Sequence, residues 1–169
     1  MTSQLAERYE VHGVDISGEQ IARARSNVPN ATFEQADIEH YAAPAGSYDA
    51  VVAFYSLIHV PREKHPDVVR RIGDWLRPGG IFVASFGVHD DPGTVEADWL
   101  GAPMFFSHFD ERATVALIRA AGFGIVSATV IDEPEHDGTS AFLWVVARRR
   151  DGGSRFRRQR ARRSLLRGR

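Results

Sequence analysis

The sequence predicts one α/β domain built on a mostly parallel sheet that closes with an antiparallel hairpin. Short apolar runs of strand length alternate with amphipathic helices, which is typical of parallel α/β sheets. The last two apolar runs are joined only by residues 133–140, a connection short enough for an antiparallel pair. A chain of 169 residues with 43% hydrophobic and 25% charged residues can bury one sizeable core.

The first half of the chain alternates strands with helices. Residues 5–8 are typical of a helix end, and strands are predicted at 10–15, 31–36 and 48–55. Between the first two strands, Ser17 is expected to cap a helix, with Gln20 completing a capping box. Ile21, Ala24 and Val28 follow at helical spacing. The unbroken apolar run at 48–55 predicts a strand covered on both faces.

The second half repeats this alternation and ends in two strands. Pro61 and Pro66 bracket the start of a helix whose apolar stripe consists of Val68, Val69, Ile72, Trp75 and Leu76. Pro78, Gly79 and Gly80 should stop that helix before a buried strand at 81–86. Residues 89–109 are predicted to be loop-rich, with one helical turn near 96–100. A helix from Asp110 to Ala121 then ends at Gly122, and strands follow at 123–132 and 141–147.

Charge divides the chain into an acidic body and a basic tail. Residues 1–147 hold 21 of the 22 acidic side chains but 10 of the 21 basic ones, and the remaining arginines follow Ala147. We therefore predict a folded domain at 1–149 and a disordered, arginine-rich tail at 150–169. The acidic body would repel nucleic acid, and the tail lacks the aromatic interleaving of specific recognition, so no specific nucleic-acid partner is expected.

Several classes of protein are excluded by composition. There is no cysteine, which excludes disulfides, a thiol nucleophile and cysteine-ligated metals. No stretch without Asp, Glu, Lys or Arg is longer than the 12 residues of 50–61, which is too short to span a bilayer, and the first ten residues show no secretory pattern. We expect a cytoplasmic protein without a membrane partner. Neither a GxSxG nor a P-loop motif occurs.

Polar groups at the strand ends suggest a ligand. Doubly wound sheets bind ligands beyond the carboxyl ends of their strands. Asp15 ends the first predicted strand, where a carboxylate could accept hydrogen bonds from both hydroxyls of a ribose. Asp37 follows the second, where it could accept one from an adenine amine. The competing reading is that each aspartate forms a turn or caps a helix; together they favour an adenosine-containing ligand.

Five segments in order resemble one protein family. They are VHGVDIS (11–17), ATFEQADI (31–38), YDAVVAFYSLIHVP (48–61), LRPGGIFVASFG (76–87) and AGFGIVSATVI (121–131). In these segments the chain resembles class I S-adenosylmethionine-dependent methyltransferases of the small-molecule type, over residues 4–149. The resemblance implies a Rossmann-like sheet with strand order 3-2-1-4-5-7-6 and an antiparallel strand seven. It also implies S-adenosylmethionine as cofactor and a small molecule as methyl acceptor.

The resemblance implies cofactor-binding roles at six positions. Asp15 would hold the ribose, with Ile16 as an apolar wall beside the adenine. Asp37 would hold the adenine amine, with Ile38 packing nearby. Tyr55 and Ser56 would lie under the methionine part of the cofactor.

One family feature is missing from the sequence. The family begins with an apolar strand and a glycine-rich loop that approaches the cofactor closely. Before Asp15 the chain has fourteen residues with Gly13 as the sole glycine. We therefore expect a chain whose first strand is missing, so that the sheet either holds a gap or pairs the strands at 10–15 and 48–55 directly. Cofactor binding should then be weak and activity doubtful.

Other polar and aromatic residues have open roles. His59 could line the acceptor pocket or act as a catalytic base, or simply orient Pro61 and the following helix. Trp99 and the aromatic residues of 104–109 could form a lid over an apolar acceptor or a satellite core. The polar residues of three loop segments are explained more simply by a polar loop, a helix cap and a solvated turn than by a metal site. No metal is therefore predicted. These residues are His89, Asp90 and Asp91; His108 and Asp110; and Glu135, His136 and Asp137.

Two other functions compete with methyl transfer. A nicotinamide-dependent Rossmann oxidoreductase also carries an acid after its second strand, although the closing antiparallel hairpin argues against it. The chain could also be a catalytically inactive remnant that acts as a binding module, which the missing glycine-rich loop would support.

Overall fold

The computed structural model describes residues 2–135 and 138–150. Backbone contacts divide the chain into two compact units, residues 1–42 and residues 43–169. No helix in the described part of the chain is long and apolar enough to cross a membrane. The predicted arginine-rich tail lies outside the described residues from position 151 onward, and the division into residues 1–149 and 150–169 stays a prediction.

The first unit is a parallel strand pair with a helix between the strands. Its elements are α1 (Thr2–Ala6), β1 (His12–Asp15), α2 (Gly18–Asn27) and β2 (Thr32–Gln35). Ser17 caps α2 as predicted, since its hydroxyl accepts a hydrogen bond from the Gln20 N–H at 3.3 Å. β1 and β2 pair in parallel with Asp15 opposite Gln35, so the carboxyl ends of both strands lie at one edge.

The second unit contains a four-stranded sheet in the order β3-β4-β8-β7. Its strands are β3 (Tyr48–Ala53), β4 (Leu76–Gly87), β7 (Phe123–Glu135) and β8 (Gly138–Arg149). β3 and β4 are parallel, and β8 runs antiparallel to both β4 and β7. The closing antiparallel hairpin is therefore confirmed. Among the described residues β1 bonds only to β2 and β3 only to β4, so direct pairing of β1 with β3 is not found.

Two helices cover this sheet and complete its core. They are α3 (His65–Trp75) and α4 (Glu111–Ala120). The predicted stripe of α3 is buried throughout, and Gly122, with φ of 95°, follows the end of α4 as predicted. The largest fully buried side chains come from α3, α4, strands β4, β7 and β8, and the loop after β3: Phe82, Phe86, Phe123, Leu57, Ile72, Leu76, Ile118 and Leu143.

The prediction of a loop with a helical turn over residues 89–109 is wrong. The segment forms an antiparallel hairpin of β5 (Asp91–Trp99) and β6 (Ala102–His108). Its two-residue loop, Leu100 and Gly101, has φ values of 53° and 90°. Positive φ at both loop positions matches the right-handed strand twist and allows tight hairpins. A leucine at such a position is uncommon, which is why the turn is hard to find in the sequence.

Strand limits and strand cover also differ from prediction. β4 begins at Leu76 instead of residue 81. β7 ends at Glu135 instead of residue 132, and β8 begins at Gly138 instead of residue 141. β3 is not covered on both faces, because the side chain of Val52 is 42% exposed. An apolar run shows that a strand can be buried, but it does not show which elements cover it.

Candidate functional site

The first unit brings two predicted site residues to the same sheet edge. β1 ends at Asp15 and β2 at Gln35, and the Ala36 N–H donates to the Asp15 carbonyl oxygen at 3.0 Å. Asp37 therefore follows directly at the end of the strand paired with β1. This is the edge at which parallel α/β sheets bind ligands.

Both aspartates also organise their own turns. Oδ1 of Asp15 accepts the Ser17 N–H at 2.7 Å, and Oδ1 of Asp37 accepts the Glu39 N–H at 2.8 Å. Oδ2 of Asp37 lies 2.9 Å from Nδ1 of His40. The turn-forming role considered from the sequence is therefore present at both positions. It does not exclude ligand binding, because an ionised carboxylate has about four acceptor sites.

The residues beside these acids suit the adenosine end of a cofactor. The side chain of Ile16 is 68% exposed directly after β1. Nε2 of Gln35 donates to the Ile16 carbonyl oxygen at 3.0 Å, which holds this turn against the end of β2. Ile38 is half-buried in the turn after Asp37. Hydroxyl and amine donors together with a flat apolar ring fit two carboxylates flanked by aliphatic side chains.

In the second unit, Tyr55 occupies a strained and well-anchored position just after β3. Its φ of 50° lies in the left-handed region, which costs a non-glycine residue free energy. Its N–H donates to the buried Ser85 hydroxyl at 2.8 Å, and its own hydroxyl donates to the Glu133 carboxylate. Glu133 also accepts the Trp144 Nε1–H at 2.7 Å. Backbone strain held by several partners is common at functional sites.

Ser56 and His59 follow in a short 3₁₀ turn. Ser56 is exposed at the start of the turn, and its side chain makes no capping hydrogen bond. Nδ1 of His59 lies 2.8 Å from the Phe105 carbonyl oxygen. Because a carbonyl oxygen only accepts, Nδ1 carries the proton, and Nε2 of the neutral ring has the lone pair. The His59 ring packs against Phe106 with a centroid separation of 4.9 Å.

His59 and Tyr55 line a cavity at the carboxyl ends of β3 and β4. The cavity has a volume of about 490 Å³, within the range of small-molecule sites. Hairpin β5–β6 and the first residues of β8 form its other walls. The lining residues are Tyr55, Ile58, His59, Gly87, Val88, His89, Asp91, Thr94, Glu96, Trp99, Phe106, His108, Thr139, Ser140, Ala141 and Phe142. We call this cavity the hairpin pocket.

The aromatic residues of 99–109 divide between pocket and core. Trp99 and Phe106 line the hairpin pocket, with their rings 5.1 Å apart. Phe109 instead contacts the His65 ring, at 6.1 Å, and lies under the Arg62 guanidinium, at 5.2 Å. Part of this cluster therefore lines a pocket, as the lid alternative requires, and part packs against neighbouring side chains, as the satellite-core alternative requires.

The polar loop residues form local contacts. Nδ1 of His108 donates to the His89 carbonyl oxygen at 2.6 Å, and Asp90 pairs with Arg62 at 2.6 Å. Asp110 caps α4 through the Ala113 N–H at 2.7 Å. Among residues 2–135 and 138–150, no three His, Asp or Glu side chains form a group that could hold a metal ion. His136, Asp137 and the side chain of Glu135 lie outside the described part.

The sequence reasoning missed three residues of this site. In the sequence, Ser85 is part of a predicted buried strand, Glu133 is part of the connection between the last two strands, and Glu96 is part of a predicted helical turn. No local pattern distinguishes them. Their roles depend on pairing across β3, β4, β7 and β8 and on the position of hairpin β5–β6.

The fold is that of a Rossmann-like α/β protein, and comparisons with known proteins point to the methyltransferases. The sequence family described as "Methyltransferase domain" matches residues 1–80. The trans-aconitate 2-methyltransferase of Deinococcus radiodurans is 34% identical over 94 residues, 53% of this chain and 34% of that protein. The 27-O-demethylrifamycin SV methyltransferase of Amycolatopsis mediterranei is 32% identical over 130 residues, 73% of this chain and 41% of that protein.

Solved structures share the fold. A SAM-dependent methyltransferase of Methanosarcina mazei aligns with a TM-score of 0.76 at 18% identity, covering 88% of this chain and 86% of that chain. The 1,6-didemethyltoxoflavin-N1-methyltransferase of Burkholderia thailandensis, solved with S-adenosylhomocysteine, aligns with a TM-score of 0.67 at 22% identity. The alignment covers 89% of this chain and 66% of that chain.

The chain therefore has the sequence pattern and the fold of class I S-adenosylmethionine-dependent methyltransferases, and the resemblance predicted from the sequence is confirmed. It spans between 34% and 41% of the length of the two curated relatives described above. These comparisons do not favour the nicotinamide-dependent alternative.

Proposed function

We propose that the protein transfers a methyl group from S-adenosylmethionine to a small molecule held in the hairpin pocket. The observation that supports the hairpin pocket as the acceptor site is His59, whose Nδ1 is held at 2.8 Å by the Phe105 carbonyl while its ring lines the cavity. The matching methyltransferase relatives support it. Cytoplasmic location and the absence of a nucleic-acid partner stay predictions.

The proposed cofactor contacts are those that the family resemblance implies. Asp15 and Ile16 would hold the ribose and adenine, Asp37 the adenine amine, and Ile38 would pack nearby. Tyr55 and Ser56 would contact the methionine part. The bound cofactor supplies an electrophilic methyl group on a sulfonium. The exposed Ile16 and the position of both carboxylates at the carboxyl ends of paired parallel strands support this assignment.

The chain's own chemistry would consist of positioning and proton removal. Orientation of two reactants alone can contribute an effective molarity of about 10⁵ M or more. Nε2 of His59 would take the proton that an acceptor hydroxyl or amine loses as its O–C or N–C bond forms. The Phe105 carbonyl would then stabilise the imidazolium through Nδ1–H. General-base action of this kind contributes about 10²–10⁴-fold.

The test combines cofactor binding with methyl transfer. S-adenosylhomocysteine binding to the 169-residue protein is measured by calorimetry, and transfer to a panel of hydroxyl and amine acceptors by mass spectrometry. His59→Gln should lower kcat by about 10²-fold or more and leave cofactor affinity unchanged. His12→Gln, a histidine outside the pocket lining, is the control and should retain full activity.

Each outcome has a defined meaning. Binding without transfer to any acceptor would support the alternative of an inactive binding module. Full activity of the His59→Gln protein would remove this residue from the reaction and leave methyl transfer standing. Absence of both binding and transfer would overturn the proposal.

A further inference from the structure

The charges of the hairpin pocket are of one sign. Its lining includes two carboxylates, Asp91 and Glu96, and contains no lysine or arginine among the described residues. Asp91 is half-buried, and its Oδ1 accepts the Gly93 N–H at 2.8 Å and the Thr94 hydroxyl at 3.0 Å. For Glu96, no hydrogen bond or ion pair is found within the described part. Its exposed carboxylate therefore keeps its acceptor capacity as far as the described residues are concerned.

Two of the three histidines that line the pocket, His59 and His108, have their rings held by the backbone. His59 and His108 each donate Nδ1–H to a backbone carbonyl, at 2.8 Å and 2.6 Å. In a neutral ring held in this way, Nε2 is an acceptor. The Nε2 atoms of these two rings and the carboxylates of Asp91 and Glu96 give the pocket lining several acceptors. A ligand that brings donors or a positive charge would be matched, whereas a carboxylate ligand would meet acceptors and like charge.

Four aromatic rings, beside the aliphatic residues Ile58, Val88 and Ala141, form the apolar part of the lining. Trp99 and Phe106 meet edge to face on the hairpin side, at 5.1 Å. Tyr55 and Phe142 meet edge to face on the sheet side, at 5.0 Å. Aromatic faces bind flat apolar rings and also attract cations through their quadrupole. A cavity of about 490 Å³ accommodates a ligand of drug-like size.

We propose that the hairpin pocket takes a flat, largely apolar acceptor that is neutral or cationic and bears a hydroxyl or amine, and that Glu96 selects against carboxylate acceptors. This inference rests on the proposed function and names its substrate class. A tricarboxylate such as trans-aconitate would find no guanidinium or ammonium group in this lining. Acceptor charge is therefore expected to differ between this protein and its relative in Deinococcus radiodurans.

The experiment measures binding of three matched probes without any methyl transfer. They are 2-naphthylmethylamine, 2-naphthalenemethanol and 2-naphthoate, which share one ring system and differ in charge. Calorimetry on the full chain at about pH 8 keeps the alkylammonium charged and unperturbed imidazole neutral. The amine should bind about tenfold or more tightly than the carboxylate, with the alcohol between them.

Variants separate charge from shape. Glu96→Gln should reduce the preference for the amine severalfold, and Glu96→Lys should reverse it. Trp99→Ala should weaken all three probes to a similar extent, because it removes an aromatic wall. Glu10→Gln, a change at an exposed carboxylate outside the pocket lining, is the matched control and should alter nothing.

The results distinguish this inference from the proposed function. Equal affinities, a preference for the carboxylate, or no binding of any probe would overturn the substrate class, even if methyl transfer were detected with another acceptor. A preference for the amine that Glu96→Gln leaves intact would overturn the role of Glu96. The predicted preference in a protein that transfers no methyl group would support the pocket assignment and contradict the proposed reaction.

Discussion

The link between Tyr55 and Glu133 can be tested by a double-mutant cycle. Tyr55 holds a left-handed backbone conformation, with φ of 50°, that costs on the order of 1–3 kcal/mol. Its hydroxyl donates to Glu133, which also accepts the Trp144 Nε1–H at 2.7 Å. If Glu133 restrains Tyr55, the effects of Tyr55→Phe and Glu133→Ala on the free energy of unfolding will not add.

The expected magnitudes follow from these two hydrogen bonds. A hydrogen bond to a charged group contributes about 1.5–3 kcal/mol, and we take the lower end because the Tyr55 side chain is 37% exposed. Tyr55→Phe should therefore lower the free energy of unfolding by about 1.5 kcal/mol. Glu133→Ala removes the acceptor of both the Tyr55 hydroxyl and the Trp144 Nε1–H and should lower it by about 2–3 kcal/mol. The double variant should cost little more than Glu133→Ala, giving a coupling energy of about 1 kcal/mol.

Urea unfolding followed by tryptophan fluorescence provides the measurement. All three tryptophans, at positions 75, 99 and 144, lie within residues 43–169, so the signal reports the unit that contains the link. Tyr48→Phe combined with Glu133→Ala is the control, because Tyr48 lies at the opposite end of β3. Additivity of the Tyr55 and Glu133 effects within about 0.5 kcal/mol would refute the restraint.

Three further outcomes are expected. Gly87→Ala should raise KM for the acceptor and cost about 1–3 kcal/mol of stability, because a Cβ there would overlap the His108 ring; unchanged kinetics and melting temperature would contradict this contact. Burial lowers the pKa of His65, so below about pH 6.5 the unfolded chain takes up a proton that the folded chain does not, and stability falls as the pH falls. His65→Gln, whose amide can still donate to the Leu57 and Val60 carbonyls, should lose this slope of at most about 1.4 kcal/mol per pH unit, measured by urea unfolding across that range. Asp37→Ala should weaken S-adenosylhomocysteine binding less than Asp15→Ala in calorimetry, because an adenine amine supplies one hydrogen bond where a ribose supplies two; a larger loss at Asp37 would reverse the assignment.

Strands and helices that carry a strong local pattern were predictable. The α3 stripe from Val68 to Leu76 is buried because its spacing puts every apolar side chain on one helix face. The acids after β1 and β2 could be found because parallel strands end at one edge, so position along the chain translates into position in the fold. This reasoning needs no knowledge of the partner strands.

The hairpin β5–β6 could not be predicted in the same way. Most of β5 is exposed, so its sequence lacks the alternation of a half-buried strand. Its pairing with β6 is interrupted by irregularities on both sides of residues 94–96, and its turn uses Leu100 where glycine or asparagine is usual. The formation of β5 therefore depends on its pairing with β6, which a local sequence pattern does not show. The hairpin supplies Glu96, which the sequence did not single out, and Trp99 and Phe106, for which the sequence left a lid and a satellite core as open alternatives.

Asp15 has two roles that a single substitution can separate. Its Oδ1 accepts the Ser17 N–H at 2.7 Å and so organises the turn into α2, whatever ligand is bound. Asp15→Asn keeps an oxygen acceptor for that N–H but removes the charge, whereas Asp15→Ala removes both. If Asp15 holds a ribose, both variants should weaken S-adenosylhomocysteine binding in calorimetry, Asp15→Ala by at least about tenfold, since hydrogen bonds to charged groups contribute about 1.5–3 kcal/mol each.

Stability is expected to separate the two variants where binding does not. Asp15→Ala should destabilise the first unit by about 1 kcal/mol, as loss of a helix-terminus acceptor does, while Asp15→Asn should stay near the wild type. Far-UV circular dichroism, which detects α2 in a unit without tryptophan, is the measurement. An Asp15→Asn protein with unchanged affinity and an Asp15→Ala protein that loses only stability would show that this carboxylate builds the turn and does not bind the cofactor.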